Sequence, residues 1–256
     1  YQKAEKQRHV EIREQALDVR DHLQDRLRDY AVGIEFGRSF VASSEEVYWR
    51  EWKQFYNEND IEQHFQGVWG YGFVEVVEDD ELDQFVESMH HEAPGFEGHA
   101  HPGFEQNLGA VPKYIIKYHE PASRNSGAWG LNVATKPENR KVYEEARDSG
   151  EIRVSSPIRL FQSGESQWGL VFAMPVYDRD AEPLTVDERR QGLVGWVVSA
   201  VALDRFFQAE WHEDWQGIDI RLSSTENNEE QDRREIYTSA SIQGGTENGL
   251  ADQAVH

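Results

Sequence analysis

The chain of 256 residues contains no cysteine. That excludes disulfides, thiolate metal sites and cysteine nucleophiles. It leaves the compartment open, because many exported proteins also lack disulfides. Lysine is scarce: 7 of the 26 basic residues, against 19 arginines. Acidic residues number 48, for a net charge of −22. That balance argues against nucleic acid or an anionic membrane surface as a partner. An acidic, lysine-poor surface fits work at high salt, where screening removes self-repulsion; an ordinary acidic protein is the other reading. No apolar run approaches the ~20 residues that span a bilayer, and no signal peptide is evident. The chain opens inside a helical pattern and stops in a polar tail, Gly244 to His256. It is therefore expected to be a soluble piece of something longer, large enough for one large or two small domains.

Catalytic signatures are missing too. There is no GxSxG elbow, no Walker or GxGxxG loop and no HExxH helix. Carboxylate pairs abound, but in so acidic a chain most are solvated faces. By exclusion the chain reads as a binding module rather than an enzyme, and no cofactor is expected.

What is present begins with a long helical pattern. Residues 1 to about 35 have no proline, and no glycine before Gly33. Apolar residues fall at Ile12, Ala16, Val19, Leu23, Leu27, Tyr30 and Ile34, close to a coiled-coil seam. Either the helix packs on its own domain or residues 12–34 form a dimer seam. A second helix is predicted from Ser44 to about Asn59, capped by Ser43 or Ser44, burying Trp49, Trp52, Phe55 and Tyr56. Val68 to Val77 is strand-like with interspersed glycines. Further helices are expected at Asp79 to His91 and at Lys136 to Asp148, the latter opened by Pro137 and closed by Gly150. Strands are expected at Tyr114 to His119, Gly192 to Leu203, Ile218 to Leu222 and Glu235 to Thr238. This order is α+β.

Two passages carry candidate chemistry. MHHEAPGFEGHAHPGF holds His90, His91, His99 and His101. His99 and His101 would share a face of a strand and could ligate a divalent metal; the surrounding prolines and glycines read as plain loop. The second passage, VSSPIRLFQSGESQWGLVFAMPVYD, holds two apolar runs, Ile158 to Phe161 and Trp168 to Tyr177, with polar residues among them. Alternation sends Ser156, Ile158 and Leu160 one way, Ser155 and Arg159 the other. If covered, a polar and charged pair in an apolar sheet needs partners. Arg159 therefore lines a cavity, faces solvent or pairs with a buried Glu.

YIIKYHEP (114–121), PENRKVYEEARDSGE (137–151), SSPIRLFQ (155–162), GLVFAMPVYD (169–178) and GLVGWVVSAVALDRFF (192–207) follow in this order, after EEVYWREWKQF and GVWGYGFVEVV. Together they resemble the CHASE domain, the extracytoplasmic sensor of bacterial and archaeal histidine kinases and diguanylate cyclases and of plant cytokinin receptors. The resemblance covers about residues 40 to 207. It implies a fold with a long N-terminal helix followed by two PAS-like subdomains with antiparallel sheets. The corresponding boundaries are 1–60 for the helices of the stalk or dimer seam, 61–205 for the membrane-distal ligand-binding subdomain and 206–256 for part of the membrane-proximal one. It also implies flanking transmembrane helices in the full-length protein, an extracytoplasmic location, a homodimer through the N-terminal helix and a small-molecule ligand. The alternative is a protein- or metal-binding extracellular module without such a pocket.

The resemblance further implies which residues meet the ligand. The position of the plant receptors' adenine-reading Asp is taken by Asn139, whose amide donates as well as accepts. A main-chain contact falls at Phe161. A Thr of the PVY strand becomes Ala173; a Gly in the last strand becomes Ser199, and a nearby Tyr becomes Trp196. These differences argue against cytokinin. With Ser155 and Arg159, these are the expected ligand-binding residues, though Asn139 can equally be a surface residue near a helix N-terminus.

Overall fold

The first 43 residues contain no proline, and one continuous helix, α1 (Gln2–Ser43), takes up 42 of them, about 60 Å at the usual rise. The computed structural model describes residues 2–93, 96, 112–160, 167–179, 181, 183–210, 215, 220–225 and 233–238. After α1 come α2 (Trp49–Glu58), α3 (Ile61–His64), β1 (Val68–Val77), α4 (Leu82–Glu92), β2 (Lys113–Glu120) and α5 (Ala122–Asn125). Two 3-10 turns, Ser126–Ala128 and Val133–Thr135, lead into α6 (Pro137–Ser149). The remainder is β3 (Arg153–Val154), β4 (Ile158–Leu160), β5 (Gln167–Tyr177), α7 (Val186–Gln191), β6 (Leu193–Ala202), α8 (Leu203–Glu210), β7 (Arg221–Thr225) and β8 (Arg233–Thr238). The fold is α+β, as the order of predicted elements requires.

The main sheet is antiparallel, in the order β2-β1-β6-β5-β3, with β4 also paired to β5; β7 and β8 form a separate hairpin. One face of the sheet packs on α1. Tyr30 and Ile34 are buried in its core, Leu23 and Leu27 pack against the same core, and Val19 is buried as well. Tyr30 stacks on Phe172 of β5 at 6.0 Å. From Leu23 onward the apolar stripe therefore serves the chain's own domain. Among the described residues of α1, the large apolar side chains left exposed are Val10, Ile12, Leu17, Val32 and Phe36. Near its end the Tyr71 hydroxyl of β1 donates to Gly33 O at 2.9 Å and accepts from Gly37 N at 3.1 Å. It stands inside the helix's own i to i−4 ladder, where a Cβ on Gly37 would strike it.

Two local expectations change. Ser43 and Ser44 do not cap α2; their hydroxyls donate to Phe40 O and close α1. The start of α2 is set instead by Glu51, whose carboxylate accepts the Tyr48 N–H at 3.0 Å. The predicted buried side of α2 holds: Trp52 and Tyr56 are in the core, with Trp49 and Phe55 against it. α6 begins with Pro137 and ends at Gly150 in the left-handed region, φ 75°, as the Pro-start and Gly-stop pattern predicts. Strands β7 and β8 form the expected hairpin with shifted bounds.

Candidate functional site

The second passage does not run as one alternating strand. β3 pairs Val154 with Phe172, whereas β4 pairs Ile158 with Gly169. One residue too many lies between those pairs, so the strand breaks around Ser156 and Pro157. This corrects the simple alternation: Ser155, Ile158 and Leu160 all come to one cavity, with part of Arg159. The cavity, about 140 Å³, lies between the sheet and the layer made by α6 and the 3-10 turns. Its floor includes Val171 of β5 and Val198 and Ala200 of β6; its roof includes Val142 and Tyr143 of α6. An engineered apolar cavity of about 150 Å³ holds a benzene ring, so this space matches one ring with small substituents.

β2 supplies a residue that the sequence reading missed. Phe73 pairs with Tyr118, but Val74 pairs with Ile116, which leaves Lys117 as an extra residue. This bulge reverses the alternation of β2. Ile116 and His119 consequently both line the cavity, while the Tyr118 hydroxyl bonds Val47 O at 3.2 Å on the side of α2. Lys117 is buried and pairs with Glu75 at 2.9 Å. The imidazole of His119 sits over Gly70 and Gly72 of β1, where a Cβ on either glycine would collide with the ring. Nε2 lies against the backbone of Gly70, yet neither ring nitrogen meets hydrogen-bond geometry. Burial pushes the pKa of His119 down to about 4, so the ring is neutral at neutral pH, one nitrogen a donor and the other an acceptor. The signal in the sequence was the glycine spacing in VWGYGF: alternate glycines in a strand mark close approach by another group.

The expected site residues divide. Asn139, Ser155 and Arg159 line the cavity. The carbonyl oxygen of Asn139 is buried there without a partner. Ser155 is buried, and its Oγ accepts the Val171 N–H at 2.9 Å. Arg159 is exposed, its guanidinium 4.2 Å from the centre of the Trp168 ring. Ala173 and Trp196 are fully buried on the sheet face that carries Val171 and Val198, but beside the cavity rather than in its wall. Trp196 Nε1 donates to Tyr143 O at 3.0 Å, and its ring packs on Tyr114 and Tyr143. Ser199 lies outside the cavity wall: Val198 and Ala200 face the cavity, so Ser199 faces α1. It sits between Tyr71 and Phe172 on the neighbouring strands, with its hydroxyl unpartnered. Trp196 and Ser199 are three apart on a regular stretch of strand and cannot share a face. Phe161, His99 and His101 lie outside the described residues. Among the described residues no cluster of three or more His, Asp or Glu is placed to hold a metal ion.

A family model for the CHASE domain matches residues 45–234. The chain belongs to the CHASE domain family. The match takes in the whole main sheet, α6 and β7, and extends past the blocks of the sequence resemblance, which end at Phe207. No curated protein matches the chain. A CHASE domain is a sensory, non-catalytic module of signalling receptors that works outside the cell, and this chain is one. Among the described residues of this CHASE domain no helix is long and apolar enough to cross a membrane.

Proposed function

We propose that this CHASE domain is the ligand-sensing part of a transmembrane histidine kinase or diguanylate cyclase, and that a small molecule binds in the cavity beneath α6. The observation that carries the reading is the pair of unpartnered polar groups, on His119 and Asn139, in the wall of an otherwise largely apolar space. A core of ordinary purpose would fill that space or satisfy those groups. Asn139, Ser155, Arg159 and His119 are the proposed contacts in the wall, and Ala173 and Trp196 shape it from beside. Residues 61–205 would be the membrane-distal PAS-like subdomain, and the hairpin of β7 and β8 would belong to a proximal one within 206–256. α1 and α2, in residues 1–60, would be the stalk.

The sheet supplies a route for the signal. β5 and β6 present Val171, Val198 and Ala200 to the cavity and Phe172, Val197 and Ser199 to the side of α1. A ligand that changes how these strands sit acts on α1 through a single layer of backbone. Binding would thus bias the packing of α1 in a homodimer and the equilibrium passed to the membrane. Differential scanning with graded small molecules tests the reading. A ligand at a hundred times its Kd should stabilise the domain by about 2.7 kcal/mol, and Ala200→Phe, which fills the cavity, should abolish that shift. A shift that survives Ala200→Phe would place the ligand elsewhere.

A further inference from the structure

Among the described residues, the charged groups in the cavity wall share one sign. In a chain of net charge −22, the charged residues lining it are Lys136 and Arg159, both exposed at the mouth, and none of the described lining residues is Asp or Glu. Glu138, in the same turn as Lys136, is not part of the wall. The first turn of α6 adds a third contribution. Its N-cap residue, Lys136, makes no side-chain cap hydrogen bond, so the N–H groups of Glu138 and Asn139 and the positive end of the helix dipole lie at the same rim. Deeper in, His119 is more than nine-tenths buried, with Nε2 against the backbone of Gly70 and Nδ1 unpartnered, and the Asn139 carbonyl lacks a donor. A cationic ligand would find no counter-charge among the described residues of the wall. A ligand with a single anionic end and a hydrogen-bond donor would answer every one of these groups.

Resting on the reading of the cavity as the ligand site, we infer that it takes a compact organic monoanion of roughly ten non-hydrogen atoms. The apolar body occupies the interior, a carboxylate faces Lys136, Arg159 and the first turn of α6, and a hydroxyl or N–H meets His119 and Asn139. Charge at an exposed mouth acts through partial solvent screening, so it separates ligands by charge without excluding their shape.

The test uses matched probes: 4-hydroxybenzoate, 4-hydroxybenzamide and 4-hydroxybenzylamine, and the corresponding acid, amide and amine of a hydroxyalkyl body. Calorimetry at low salt should give an acid that binds about tenfold or more tightly than its amide, and an amine that does not bind. Lys136→Met with Arg159→Met should remove most of the acid's advantage, leaving only what the first turn of α6 supplies; both side chains are exposed, so folding is kept. His119→Phe should weaken acid and amide alike, because it removes the interior partner and not the charge. Equal binding of acid and amide by the unaltered protein, or a preference for the acid that the double substitution leaves undiminished, overturns the inference while leaving the cavity as the sensing site. Silence of all six probes overturns the inference as well. If, in addition, Ala200→Phe leaves signalling by the full-length receptor unchanged, the reading of the cavity itself fails.

Discussion

At the scale of the residue, His119 is the most consequential side chain that alternation hides. Its ring is neutral because burial makes the charged form expensive. The sign of the resulting pH dependence follows. The unfolded chain takes up this proton near pH 6.5, whereas the folded chain resists it down to about pH 4. The stability supplied by the neutral ring is complete above the unfolded value and falls away between the two. The loss amounts to about 3 kcal/mol by linkage. Asp148 does not share that window: hydrogen bonds from Arg190 and Arg147 hold its carboxyl well below the usual carboxylate range, so its contribution is lost only in stronger acid. Denaturant titrations at intervals from pH 7 to pH 4 should show the decline in the parent protein, and His119→Gln should remove most of it. An unchanged pH profile in that variant would mean that the ring titrates normally.

At the scale of the element, α1 has two different apolar populations. Tyr30 and Ile34 are spent on the chain's own sheet. Val32 and Phe36 are about half exposed, at 49% and 51%, on a part of the helix whose other side is fully packed. If the receptor is a dimer through its N-terminal helix, these residues are placed to meet a partner, and the helical period of the buried stripe is not. Val32→Glu with Phe36→Glu should convert a dimer into a monomer in light scattering without lowering the melting temperature of the monomeric fold. Ile34→Glu, by contrast, should unfold the domain whatever its oligomeric state, because it puts a charge into the core. The reverse pattern would assign the seam to the buried stripe. The same scale explains the break between β3 and β4 and the bulge in β2. Each adds one residue to one strand and turns the following side chains to the other face. Without the Lys117 bulge, Ile116 and His119 could not line one cavity.

At the scale of the whole molecule, the dominant fact is charge. With 48 acidic against 26 basic residues, the folded state repels itself more strongly than the expanded one. Added salt should relieve this as the screening length falls from about 10 Å at 0.1 M to about 3 Å at 1 M. The melting temperature is therefore expected to climb with NaCl over that range and to level off beyond it. A flat curve would show that the acidic groups are spread widely enough not to oppose folding. Bridges such as Arg190–Asp148 at 2.6 Å are half exposed and should weaken slightly over the same range, so a net rise isolates the long-range term.

The sequence by itself determined the local order: the long helix without proline, the Pro-to-Gly limits of α6, the strands at Val68–Val77 and in the two runs around PVY, and the CHASE membership that those blocks carry. These rest on short-range physics, namely propensity, capping and the periods of helix and strand. Only the tertiary structure decided which side chains meet. It put Ser199 toward α1, brought His119 into the cavity over Gly70 and Gly72, and gave the stripe of α1 to its own sheet. Those outcomes depend on strand register, and one inserted residue in a strand reverses the face of those that follow. No local pattern in the inserted strand records that choice, because the register is fixed by pairing between segments distant in the chain.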